Sequence, residues 1–281
     1  MMQPRVAAIH DISCFGKCSL TVALPLISAA GVEVAVIPTA VLSTHTGGFT
    51  GYTFRDLTED ILPVARHWHS AGISADAIYT GYLGSKEQVE LVIEAIDYIK
   101  KQNSPVIVDP VMADHGRLYG GFPDDFPNEM KKLCKKADII TPNITEAALM
   151  LDCEYLEGPY TKEYIERLLK GLRKITDSKI VLTGVWFDSR RIGAACFDGN
   201  NVSYILSDRI ETTYHGTGDV FASTLVAAYM RGKSLEDATK VAVDFTCACI
   251  NRTYKNHPEM HYSVNFEAEI PNLINMLGAE V

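Results

Sequence analysis

The stretch PVIVDPV (105–111), followed by NEMKKLCKK (128–136) and then DIITPN (138–143), decides the fold. The two outer segments are short apolar runs rich in Val and Ile, and the middle one reads as a helix. A buried strand, a helix and a second buried strand make the unit from which parallel sheets are wound. The same alternation continues outward in both directions. Downstream come helices at 145–151 and 164–175 and the strand KIVLTGVW (179–186). Upstream, ADAIYTGYL (75–83) leads into a helix over 85–101, in which Val89, Val92, Ile93, Ile96 and Ile99 recur at helical spacing. Nearer the start, strands at 5–10 and 32–38 flank a helix that Ser19 caps and Gly31 ends, and 59–71 is helical. Residues 40–58, rich in Thr, Ser and Gly, read as a long functional loop.

The pattern changes near the end. Segments 191–197 and 202–206, separated by Asp-Gly-Asn, predict an antiparallel hairpin, and helices follow at 219–230 and 235–254. With no linker and no internal repeat, residues 1–281 read as one doubly wound α/β domain with a mostly parallel sheet.

Composition narrows the function classes. The chain has 281 residues, 47% of them hydrophobic, so a substantial core can be buried. Its 26 basic residues against 35 acidic ones give a net charge of −9, which argues against nucleic acid as a partner. Seven cysteines without zinc-like or disulfide-framework spacing, and no leader-like segment before Asp11, point to the cytoplasm. The apolar run 20–42 is broken by Pro25, Gly31, Glu33 and Pro38, so it reads as a helix and a strand and not as a membrane span. Neither His67/His69 nor His257/His261 makes a metal pair: the first two face different sides of a helix, and Pro258 interrupts the second.

In open parallel sheets, ligands gather at the carboxyl ends of the strands. Asp11, Tyr82, Asp109, Asp114, Asn143, Glu146, Thr183 and Gly184 all fall at or just beyond such ends. The sharpest motif is His215-Gly216-Thr217-Gly218-Asp219, directly ahead of a helix. Two glycines let the backbone turn its N–H groups towards one point, and the helix start adds a positive dipole end, which suits an anion. Asp219 is placed to take a proton from a hydroxyl that attacks a phosphoryl group. Read alone, the same loop also fits Asp219 as a plain helix cap. A Walker-type loop is excluded, because position 11 is Asp and Cys18 stands where Ser or Thr is required, and no G-x-G-x-x-G follows the first strand.

GTGDVFASTL, TPNITEA and VDPVMAD, together with PTAVLSTHTGGFTG and YTGYLGS, resemble the ribokinase-like superfamily of small-molecule kinases, and within it the pyridoxal (pyridoxamine) kinases. The resemblance runs over about residues 5–256 and implies a doubly wound sheet with only a small loop-like lid, at 40–58 and 113–127. It implies ATP-dependent phosphorylation of the 5'-hydroxymethyl group of pyridoxal, pyridoxamine or pyridoxine. Asp219 matches the family's catalytic aspartate, and Gly216, Thr217 and Gly218 match its anion hole. Asp109 and Glu146 match positions that hold Mg²⁺. Asp114, Tyr119, Asn143, Glu146, Thr183, Gly184 and Gly218 match positions around ATP, with Tyr119 in a flap over the phosphates. Asp11, His45, Thr46 and Tyr82 match the substrate pocket, together with Asp219. The family further implies a homodimer and admits a monovalent cation such as K⁺ among the cofactors.

The chain departs from the family at Asp11-Ile12, where many members have Ser-His, and at His215. Asp11 stands where Ser is common, so a carboxyl could pair with a protonated ring nitrogen or accept from a ring hydroxyl. His215 replaces a small apolar residue ahead of the glycines. Two other readings stay open: a hydroxymethylpyrimidine kinase, whose branch commonly has an early aspartate but often Cys in place of Asp219, and a non-catalytic B6- or nucleotide-binding regulator.

Overall fold

A computed structural model describes residues 3–257 and 259–278. The chain begins β1 (Arg5–Ser13), α1 (Leu20–Ala29), β2 (Glu33–Leu42), β3 (Phe54–Asp56), α2 (Thr58–Ser70), β4 (Ala77–Thr80) and α3 (Lys86–Ile99). It continues β5 (Val106–Val108), β6 (Ala113–Asp114), β7 (Arg117–Leu118), α4 (Phe126–Cys134), β8 (Ile139–Ile140), α5 (Ile144–Met150) and α6 (Lys162–Ile175). The final third is β9 (Lys179–Asp188), β10 (Arg191–Phe197), β11 (Val202–Asp208), α7 (Thr217–Met230), α8 (Leu235–Asn256) and α9 (Ile270–Leu277).

Nine strands form one sheet in the order β11-β10-β9-β8-β5-β4-β1-β2-β3. The six from β2 to β9 are parallel, and β3, β10 and β11 are added antiparallel at the two edges. The central parallel strands β4, β5 and β8 are buried on both faces, which is why their sequences are apolar runs and not alternating ones. One core lies under α2 to α6 and holds Ile61, Val92, Met130 and Leu168. The other lies under α1, α7, α8 and α9 and holds Leu26, Val226, Phe245 and Leu273. The fold is the ribokinase-like one, and the hairpin expected at 191–206 is β10–β11, extended to Asp208.

Several sequence expectations need correction. The segment 40–58 is not all loop: β2 runs on to Leu42, and β3 folds back on it with Leu42 opposite Phe54 and Ala40 opposite Asp56. Three residues beside a Gly-rich stretch leave no periodic signal, so only the fold-back reveals the strand. The lid over 113–127 likewise contains the hairpin β6–β7, and α4 starts at Phe126, two residues early, with Pro127 in its first turn. Ser19 sits at the start of α1 but makes no side-chain cap; its φ is 55°. Pro258 lies outside the described residues, and α8 ends before it with His257 at the C-cap.

The chain leaves β1 for β2 on one side and returns to β4 on the other, so the strand order reverses at β1. That reversal opens a crevice beyond the carboxyl end of β1. The crevice depends on β1 and β4 staying close. His10, fully buried, packs edge-on to Tyr79 with ring centroids 4.3 Å apart, and Gly81 admits it: a Cβ there would lie 2.3 Å from the His10 ring. Gly81→Ala is expected to cost about 1–3 kcal/mol through overpacking, read as a lower urea midpoint with unchanged slope. A wild-type midpoint would show that the strands can spread to accept the methyl group.

Candidate active site

The carboxyl ends of the parallel strands converge as their positions in sequence predict. Asp11 closes β1, Tyr82 follows β4, Asp109 follows β5, Asn143 follows β8, and Thr183 lies in β9 with its amide on the Pro142 carbonyl.

Gly216 is the N-cap of the fourteen-residue α7, with φ of 78°. A side chain is excluded there twice over: the left-handed backbone disfavours it, and a Cβ would lie 2.5 Å from the Lys17 carbonyl oxygen and 3.2 Å from Cys18 Sγ. Gly218, by contrast, has nothing within 4 Å of where a Cβ would be, so the first turn of α7 faces open space. Free amides and a helix dipole around an open volume are what an anion needs. Thr217 turns its hydroxyl back onto the Tyr214 carbonyl (3.2 Å), leaving its amide as its contribution to this end.

Asp219 lies deep beside this opening and stays half-buried. Burial lifts its proton affinity to about 7; the Ser19 amide and the Cys18 thiol lower it, and the charge of Asp11 raises it. Sequence reasoning missed the part played by residues 16–19. Gly16, Lys17 and Ser19 have φ of 110°, 52° and 55°, and this run presents Ser19 to both Asp219 and Asp11 where a regular helix start would have used its hydroxyl as a cap. Two non-glycine residues in the left-handed region form a signal that only coordinates carry.

Asp11 is buried, with Oδ2 accepting from the Ser13 hydroxyl at 3.1 Å and Oδ1 without a partner. Burial raises its proton affinity. Tyr82 is half-buried nearby, pushed up to about 12 by burial and then by Asp11. His45 is buried and Thr46 exposed on the loop between β2 and β3. Both His45 nitrogens are engaged by backbone, Nε2 at 2.8 Å from the Tyr262 carbonyl oxygen and Nδ1 accepting from the Gly47 amide at 3.1 Å. His215 is exposed and its ring lies 5.4 Å from that of His45; it covers Gly47, where a Cβ would lie 2.5 Å from its Nδ1.

Asn143 and Glu146 do local work first. They form a capping box on α5: Asn143 Oδ1 accepts from the Glu146 amide and Glu146 Oε2 from the Asn143 amide, both at 2.9 Å. The remaining atoms reach across to the hairpin β6–β7. Glu146 Oε1 accepts from the Met112 amide (3.1 Å), Asn143 Nδ2 donates to the Ala113 carbonyl (2.8 Å), and Thr145 Oγ1 accepts from the Gly116 amide (3.0 Å). This cluster therefore fixes the root of the flap that carries the exposed Asp114 and Tyr119. Thr183 is half-buried, and Gly184, with φ of 75°, is exposed beside it.

Asp109 and Glu146 are both buried, and both have proton affinities well above the ordinary carboxylate range, through burial first and then through neighbouring carboxylates, Asp219 for Asp109 and Asp109 for Glu146. Among the described residues no three His, Cys, Asp or Glu side chains form a ready-made metal cage. All seven cysteines are free thiols, and Cys18 is held well above its usual range by burial and by Asp219. Among the described residues no helix is long and apolar enough to cross a membrane.

Residues 24–265 match the family described as phosphomethylpyrimidine kinase. A provisionally named phosphomethylpyrimidine kinase of Bacteroides thetaiotaomicron is 34% identical, with a TM-score of 0.91 over 97% of this chain and 94% of that one. A second crystal form of that protein, obtained with pyridoxal, superposes with a TM-score of 0.90. The pyridoxal kinase of Lactobacillus plantarum is 29% identical, with a TM-score of 0.89 over 98% of both chains. The pyridoxine kinase of Bacillus subtilis is 27% identical over 185 residues, 65% of this chain; the match spans 66% of that relative, just under two thirds of its length.

The raised proton affinity of Asp219 has a thermodynamic consequence. Folding moves it from 3.8 to about 7, so the folded protein holds a proton that the unfolded chain releases. Its contribution is intact below 3.8 and is lost as pH climbs towards about 7. Asp219→Asn should flatten the fall in Tm across that window, as followed by calorimetry at a series of pH values. A slope identical to wild type would assign the titration to other groups.

Proposed function

We propose a reaction from the premise that the chain belongs to the phosphomethylpyrimidine kinase family: ATP-dependent phosphorylation of the 5'-hydroxymethyl group of pyridoxal, pyridoxamine or pyridoxine. The observation that carries the reading is Asp219, a half-buried carboxyl lifted to about 7 beside the open N-terminus of α7. A general base works best when its proton affinity lies near the working pH. Asp219 takes the hydroxyl proton as that oxygen bonds to the γ-phosphorus of ATP, and the bond to the β,γ-bridging oxygen breaks to release ADP. The amides of Gly216, Thr217 and Gly218 face the charge on the transferred group, so catalysis is positioning plus charge compensation.

Mg²⁺ suits the hard oxygen donors Asp109 and Glu146, two buried carboxyls whose mutual repulsion a divalent cation would offset, with water completing its shell. When bound, the metal neutralises phosphate charge. Since both Glu146 oxygens already accept from amides, its role includes holding Met112 and the flap in place. Asp114, Tyr119, Asn143, Thr183 and Gly184 border the nucleotide on this reading. Asp11, Tyr82, His45 and Thr46 border the acceptor, with the unpartnered Asp11 Oδ1 left to meet a donor on the ring.

The B6 reading is supported by the likeness to the Lactobacillus pyridoxal kinase and to the Bacteroides protein crystallised with pyridoxal. A second acceptor class, 4-amino-5-hydroxymethyl-2-methylpyrimidine, is favoured by the description of the family itself and by Asp11, which can accept from an exocyclic amine as well as from a ring N–H.

Incubation with Mg-ATP and each B6 vitamer or the pyrimidine, with ADP and phosphorylated product both quantified, decides between them. Phosphorylated B6 product is expected; phosphorylated pyrimidine alone would reverse the assignment, and binding without ADP release would favour a regulator. Asp219→Ala should lower kcat by about 10² to 10⁴ while leaving ATP binding intact. Retention of more than about a tenth of wild-type turnover would remove Asp219 from the base role.

A further inference from the structure

The chain leaving α8 crosses back over the acceptor end of the crevice, and its residues 259–266 touch three loops that lie far away in sequence. The Tyr262 carbonyl meets His45 Nε2 across 217 positions, and the His261 carbonyl accepts from the His215 amide at 3.3 Å. Tyr262 also lies against Phe15 with ring centroids 5.1 Å apart, and against Phe49 at 6.2 Å. The strap is anchored beyond these contacts by the buried Val264 and Phe266, by the Asn265 amide on Thr253 Oγ1 at 2.8 Å, and by the Lys17–Glu267 ion pair at 2.7 Å.

The strap also settles the chemistry of His45. A carbonyl oxygen only accepts, so Nε2 carries the hydrogen; burial keeps the ring neutral, and the bare Nδ1 takes the Gly47 amide. Both nitrogens are thus spent on backbone, and His45 can offer an acceptor molecule only its ring surface. Around it stand Phe49, edge-on at 5.0 Å, Phe15, 52% exposed at the mouth, and Tyr262. Among the described residues the buried Asp11 Oδ1 is a carboxylate oxygen on this side without a hydrogen-bond partner, and Thr44 Oγ1 and Ser263 Oγ are hydroxyls without one. Aromatic faces beside an unpartnered carboxylate oxygen fit a flat heteroaromatic ring with a donor on its edge.

We infer that Tyr262, brought in by the strap 259–266, is a specificity-determining residue of the acceptor site: its ring completes an aromatic wall with Phe15 and Phe49, and its carbonyl fixes the orientation of His45. This rests on the acceptor class proposed above.

Direct binding tests it without turnover. Pyridoxal, pyridoxamine and 4-amino-5-hydroxymethyl-2-methylpyrimidine are titrated calorimetrically, without nucleotide, into the full chain and into Tyr262→Ala and Tyr262→Phe. Loss of aromatic contact should weaken binding about three- to tenfold in Tyr262→Ala, while Tyr262→Phe binds as wild type and the KM for ATP stays unchanged in both. Phe15→Ala, on a separate loop, should weaken binding in the same direction and supplies the test if Tyr262→Ala does not fold. Wild-type affinity in the alanine variants, or equal losses in Tyr262→Ala and Tyr262→Phe, overturns the inference alone. Failure of the wild-type chain to bind any of the three probes overturns the acceptor reading, and this inference with it.

Discussion

The site depends on how closely the backbone at Gly216 approaches residues 17 and 18. Without a side chain at that position, the start of α7 can settle against the loop after β1; with one, a Cβ would press on the Lys17 carbonyl oxygen at 2.5 Å. That approach brings Asp219 under the Ser19 amide and near Asp11, two carboxyls from opposite ends of the chain in one poorly solvated place. Burial and like charge then act in the same direction, and the proton affinity of Asp219 rises to about 7. Backbone geometry and side-chain chemistry are therefore one property: the left-handed run 16–19 that makes room for the loop also aims Ser19 at the acids.

A second constraint works on the nucleotide side. The capping box of Asn143 and Glu146 is an ordinary device for starting a short helix, yet its spare atoms hold Met112 and Ala113 at the root of β6–β7. The two residues that begin α5 thus also set where the flap hinges. A buried carboxyl with amides on both oxygens is well placed to hold backbone, and its proximity to Asp109 leaves a surplus of negative charge that a cation would relieve.

Much of this was legible along the chain. The alternation of apolar runs and amphipathic segments marks the parallel sheet, because buried strands and one-sided helices leave different periods in sequence. Gly-Thr-Gly-Asp before an apolar helix marks a tight turn into that helix, because glycine adopts the φ of 78° found at Gly216 without the cost of a Cβ. Strand-end positions such as Asp11, Asp109 and Asn143 lie together at the end of the sheet where open parallel folds gather ligands. By contrast β3, the hairpin β6–β7 and the contribution of 259–266 leave no periodic trace. Each is a few residues long and is held by partners elsewhere, as Tyr262 is by His45.

The sequence by itself determined the sheet, the two helical layers and the chemical types available at the crevice, since periodicity, glycine placement and charge are local properties. Only the tertiary structure decided which of those groups act together. It set Ser19 beside two acids and not at a helix cap, spent both nitrogens of His45 on backbone and made Glu146 a support for the flap. Proton affinities and free hydrogen-bonding atoms depend on what surrounds a group in space, and those surroundings come from segments 34 positions away in sequence for Glu146 and 217 for His45.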